Sequence, residues 1–345
     1  MDLSDGVVPV DDEIAEAVAA VWDSLARPGR WLTSAQRVAV AAECRAAAGG
    51  GRGDDPVLAP HHRDLVARGV HDPAGLQDTP LEDLLGADLT VDEYVEVVAV
   101  AAKVVAIDLL CAGLAATPPP LPTPGDGTPS RVRPAAAGDL GARVPMLTAE
   151  DLADEIGPGT YHVNVRRGHS LVPEEAALQV RLTEALYVPD LLAHGMAGRR
   201  GLDRAQLEAV ATRVSALNRC FYCSAGHAQL LAMTADDEAT PDLVAAARGE
   251  GDATGVRHGA ELLGLAEAMV RGAPPLDGAR AGAAAVLDDE QLLGAVATVA
   301  AFVLLNRVSD SSGIPLDDLA VGLLDGLPDE LDLDAYAGAR RTPRP

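Results

Sequence analysis

Cys220 and Cys223 stand three apart in NRCFYCSAGHAQLL (218–231), with His227 four further on, in a chain that holds four cysteines in all. Three readings suit such a set. Two thiols can cycle between dithiol and disulfide, two thiolates and an imidazole can supply part of a zinc site, or the pair can be small apolar residues on a buried helix. Positions 220, 223 and 227 are spaced i, i+3, i+7, so on a helix both sulfurs and the imidazole share one face. Asn218 reads as the N-cap of that helix, which puts Cys220 in the first turn and Cys223 in the second. Unpaired backbone N–H groups and the helix dipole there favour thiolate over thiol. Cys44 and Cys111 stand singly on other expected helices and read as core residues, so zinc lacks a fourth ligand. Haem attachment would need a histidine where Ser224 stands. No metal or cofactor is expected.

Glu208 joins the set through a turn. It lies ten residues before Asn218 and His227 lies nine after it. If the chain folds back there, an antiparallel helix pair sets the two at similar height, and the carboxylate can orient and charge the imidazole. His227 can then take a proton from Cys223 or pass one to a leaving oxygen.

The elements that must hold these residues are helical. Aromatics make up only 3% of 345 residues, alanine is abundant, and the long segments carry helical rather than alternating periodicity, which indicates an all-α protein. A chain of this length fits two domains. TPPPLPTPGDGTPSRVRPAAAG loses all periodicity and reads as an extended Pro/Gly-rich linker over 116–140, dividing a first domain, 1–115, from a second, 141–345. The halves resemble distant copies: LTSAQRVAVAAECRAA at Leu32 matches LDRAQLEAVATRVSAL at Leu202, and LTVDEYVEVVAVAAKVVAIDLL at Leu89 matches LDDEQLLGAVATVAAFVLLNRV at Leu287. In that register His62 lies opposite His227, and the first half keeps the scaffold without the thiols.

A net charge of −25 opposes both nucleic acid and anionic membrane surfaces. Residues 1–13 have neither a basic start nor an apolar core, and the apolar stretch from Val95 carries Glu96, Lys103 and Asp108, so a cytoplasmic protein is expected. In that compartment a close cysteine pair points to chemistry more than to structure.

Glu208, eleven residues, Cys220-Phe-Tyr-Cys223, three residues and His227 together resemble the alkylhydroperoxidase D signature of the carboxymuconolactone decarboxylase-like superfamily. GHSLVPEEAALQVRLTEALYVP upstream and FVLLNRVSDSSGIP downstream are similar to its peroxidase-related branch. The resemblance covers roughly residues 155–315 strongly and the first half weakly. It implies an all-helical homo-oligomer in which Cys223 is the peroxidatic thiolate, Cys220 the resolving thiol, and His227 with Glu208 the proton relay. A hydroperoxide would be the substrate and an external dithiol, lipoyl- or thioredoxin-like, the reductant. Tyr222 stands where the type member has a second histidine. An acid–base lyase, as in the other branch of the superfamily, and a non-enzymatic redox sensor or assembly module are the competing functions.

Overall fold

Thr33, Thr90, Asp203 and Asp288 each cap a helix, and Gln36, Glu93, Gln206 and Gln291 each return a bond to the cap, so four helices open on the same capping box. These are the four starts that the sequence likens between the halves. The computed structural model describes residues 3, 5–86, 89–159, 161–189, 195–235, 241–249, 255–272 and 275–341. The first half holds α1 (Asp12–Leu25), α2 (Ser34–Ala48), α3 (Pro60–His71), α4 (Pro73–Asp78), α5 (Leu81–Leu85) and α6 (Val91–Gly113). Beyond the proline-rich stretch come α7 (Ala149–Ile156), α8 (Asn164–Arg167), α9 (Pro173–Leu186), α10 (Arg204–Leu217), α11 (Phe221–Ala232), α12 (Leu243–Arg248), α13 (Gly259–Arg271), α14 (Leu276–Ala284), α15 (Asp289–Ser312) and α16 (Asp318–Val321), then short 3-10 turns to residue 341. The described residues contain no strand, and the protein is all-α as expected.

The long helices fall where periodicity puts them. α9 is shorter than its pattern suggests, which runs on to Gly195, because the backbone leaves the helix at Tyr187 ahead of Pro189. Residues 190–194 lie outside the described part.

α6 and α15 pack along each other through the middle of the molecule. α15 is long and apolar enough to cross a membrane by length and composition, yet every residue from Leu292 to Ser312 is buried. A helix that is apolar on all sides and wholly covered is a core helix. The cluster around this pair runs from Leu3 to Ile314 and draws on both halves.

Charge also crosses between the halves, in the interior. Arg37 on α2 reaches Glu96 on α6 at 2.7 Å and Glu175 on α9 at 2.6 Å, and Lys103 on α6 reaches Glu175 at 2.7 Å. All four side chains are almost sealed from solvent, and two positive charges balance two negative. Burial drives the Glu175 carboxyl up, but Arg37 and Lys103 outweigh it and hold the group at about 2. Arg200 adds a pair to Asp11 at 2.7 Å nearer the surface. The proline-rich stretch carries no helix and is tied to the first half: Trp22 Nε1 donates to the Pro120 carbonyl at 2.9 Å and Gly125 N–H to Ala26 at 2.8 Å.

Arg37→Met tests this seam. It leaves Glu96 and Glu175 buried with only Lys103 to balance them, and removing one member of such a network costs roughly 3–5 kcal/mol. Urea unfolding followed by circular dichroism should show that loss, whereas a change below about 1 kcal/mol would mean the cluster carries little of the stability.

Candidate active site in the α10–α11 hairpin

The chain folds back between α10 and α11 through Asn218, Arg219 and Cys220. Arg219 has a left-handed backbone (φ 56°), which stops one helix and redirects the chain into the next. Asn218 therefore closes α10, its N–H bonding Val214 at 3.1 Å, and does not begin α11 as its type suggested. Its side chain instead donates to Asn306 Oδ1 on α15 at 2.8 Å. Cys220 takes the N-cap position with extended backbone and no capping side-chain bond, and Cys223 falls in the first turn.

Glu208 and His227 meet as the hairpin requires: His227 Nδ1 lies 2.6 Å from Glu208 Oε2. Glu208 is fully buried, and two further groups share it. Arg204, one turn earlier on α10, sits 2.6 Å from Oε1, and the Tyr187 hydroxyl donates to the same oxygen. Burial pushes the Glu208 carboxyl up, but His227 first, with Arg204 and Tyr187, overcomes this and holds it below the ordinary carboxylate range. Burial and the adjacent carboxylate drive the Tyr187 phenol well above its usual value, so it stays a donor. Phe302 of α15 packs edge-on against the imidazole, with centroids 4.4 Å apart, and against Tyr187 at 5.0 Å. The ring is thus held on two sides.

Both thiols are free and buried, with Cys220 at 0% and Cys223 at 1% exposure. Cys223 Sγ lies 3.7 Å from Ser309 Oγ, and the Cys220 and Cys223 thiols are close enough to influence each other's ionisation. Burial, then the neighbouring Cys223 thiol and the charge of Asp310, push the Cys220 thiol well above its usual value, contrary to the thiolate expected at a helix start. Desolvation defeats the dipole here. His227 is one turn from Cys223 on the same helix, and no hydrogen bond joins them. Its Nδ1 is committed to Glu208, leaving Nε2 for the sulfur or a substrate oxygen. At 14% side-chain exposure His227 is the most open member of the four.

Tyr222 turns away from this chemistry. Its hydroxyl donates to Asp317 and accepts from Val165 N–H at 3.4 Å, pinning α11 to the segments before α9 and after α15. Cys44 and Cys111 lie in the core, far up their titration range through burial, Cys111 at about 12.

Residues 184–255 match the model of the carboxymuconolactone decarboxylase family. The match spans Tyr187, Arg204, Glu208, both cysteines and His227, whereas Phe302 and Ser309 of α15 lie beyond it. No curated protein matches the chain. Arg204 and Tyr187 are the site residues that sequence reasoning missed. The i,i+4 spacing of Arg204 and Glu208 was a visible signal for the first, while Tyr187 arrives from outside the hairpin and offered none.

Sequence alone suggests that Glu208→Gln barely alters folding, and the buried position changes that expectation. The substitution strips Arg204 of its partner inside the protein, at a cost of about 3 kcal/mol near neutral pH. Because the folded carboxyl lies below its unfolded value, this stability is fully present above the ordinary carboxylate range. It fades as pH falls through that range toward the depressed folded value. The gap between wild type and variant in urea unfolding should therefore shrink in acid, and a gap independent of pH would contradict the charge pairing.

Proposed function

We propose that the protein is a thiol-dependent peroxidase that reduces hydroperoxides. The observation that supports it most is the pair of free, buried thiols on the helix that carries an imidazole whose Nδ1 is locked by a buried carboxylate. Such a set can make and reset a disulfide while moving protons.

In this reading His227, oriented by Glu208, takes the proton of Cys223. The sulfur attacks the near oxygen of ROOH, the S–O bond forms as the O–O bond breaks, and His227 returns the proton to the departing RO⁻ to give ROH. Cys220, which burial keeps as a thiol, is the second reactant rather than the first. It displaces water from the Cys223 sulfenic acid and closes the disulfide. An external dithiol, lipoyl- or thioredoxin-like, restores both thiols by exchange and leaves as its own disulfide. Two thiols sealed at 0% and 1% exposure favour a small peroxide that enters past the imidazole edge.

A second reading has one observation behind it. The Glu208–His227–Arg204–Tyr187 set is complete without either sulfur, and an acid–base lyase of the kind the family name describes would need no more.

Peroxide consumption in the presence of a dithiol separates these. Cys223→Ser should abolish it, and Cys220→Ser should leave a sulfenic acid at Cys223 that a dimedone-type reagent captures. Peroxide consumption undiminished in Cys223→Ser would refute the peroxidase reading, and an adduct on Cys220 in the reciprocal variant would reverse the two roles.

A further inference from the structure

Asp310 sits on α15 at 1% exposure, and no described cation pairs with it. Arg307, one turn earlier, directs Nη1 to the carbonyl of Val303 at 3.1 Å and Nη2 to that of Val70 at 2.7 Å. The carboxyl has two neighbours of a different kind. Gln77 Nε2, from α4 in the first half, donates to Oδ1 at 3.2 Å, while Oδ2 is buried with no hydrogen-bond partner. Asp310 follows Ser309, whose hydroxyl lies 3.7 Å from Cys223, and its charge acts on the Cys220 thiol. A buried carboxyl without an ion pair is costly, and nothing in the packing of α15 calls for one.

We propose that Asp310 is the proton acceptor for Cys220 when the disulfide closes, and that Gln77 of the first half positions it. The inference rests on the peroxidase reading for the origin of the sulfenic acid. Asp310 takes the thiol proton, Cys220 sulfur forms the S–S bond as the Cys223 S–O bond breaks, and the departing hydroxide recovers a proton from Asp310 to leave as water. Carboxyl and thiols end as they balance: one disulfide, one water, Asp310 unchanged. The setting suits the task, because burial drives the Asp310 carboxyl up to about 7, with Gln77, Cys220 and Arg307 opposing and Asp72, at the start of α4, adding to the rise. A group that exchanges its proton near neutrality is matched to a thiol that burial has made a weak acid. The first half, which lacks a counterpart of the Cys220–Cys223 pair, thereby contributes to the site through Gln77.

The test is single-turnover closure after one equivalent of hydrogen peroxide, across the neutral pH range, in wild type, Asp310→Asn, Asp310→Glu and Gln77→Leu, with circular dichroism on each. Wild-type closure should rise through about pH 7 as Asp310 ionises. Asp310→Asn should close roughly 100-fold more slowly, with trapped sulfenic acid accumulating and the rise moved to higher pH, and Asp310→Glu should recover part of the rate. Gln77→Leu, which keeps the carboxyl, should shift the pH profile, so the idea stays testable if the asparagine variant does not fold. Equal closure rates and superimposable profiles in wild type and the foldable variants would overturn it. If wild type forms no sulfenic acid the peroxidase reading fails instead, and closure is then started with a small alkyl thiosulfonate, where the same comparison decides the role of Asp310.

Discussion

One buried negative charge, on Glu208, sets the geometry of the whole site. A carboxylate taken out of water costs several kcal/mol unless its oxygens are satisfied, and here each oxygen is: Oε2 by His227, Oε1 by Arg204 and Tyr187. The three partners come from α11, from α10 itself and from the turn after α9. Satisfying one charge therefore fixes three segments, and the imidazole is held as a by-product. Phe302 completes its setting from α15, which also brings Ser309 to Cys223 and Asp310 to Cys220.

α15 is thus both the core helix and one wall of the site. Its apolar residues pack against α6, and its polar residues Asn306, Ser309 and Asp310 turn toward the hairpin and α4. The first half supports that wall from behind. The Arg37, Glu96, Glu175 and Lys103 cluster ties α2 and α6 to α9, the helix that leads into Tyr187. A change in the first half has a physical route to the imidazole along this path.

Helix content and the long helices were legible because periodicity reports which face is covered, and the four helix starts announced themselves by Thr or Asp followed by Gln or Glu. The pairing of Glu208 with His227 was legible for a geometric reason: two helices joined by a tight turn must bring residues equidistant from it together. Asn218 misled, since the same side chain that caps a helix start also suits a helix end, and only the left-handed Arg219 decides between them. Cys220 misled in another way, because dipole arguments assume access to solvent and the thiol has none. The short α4, α5 and α8 offer too few turns for a period to show. Gln77 and Asp310 meet across 233 residues of sequence, which no local pattern could display.

The proposal that the two buried thiols beside a locked imidazole make and break a disulfide is open to direct measurement. Reduced protein treated with one equivalent of hydrogen peroxide, quenched by acid and weighed by mass spectrometry, should lose two hydrogens, with the loss confined to the peptide that holds Cys220 and Cys223. Unreacted peroxide over protein of unchanged mass, its thiols intact, would contradict it.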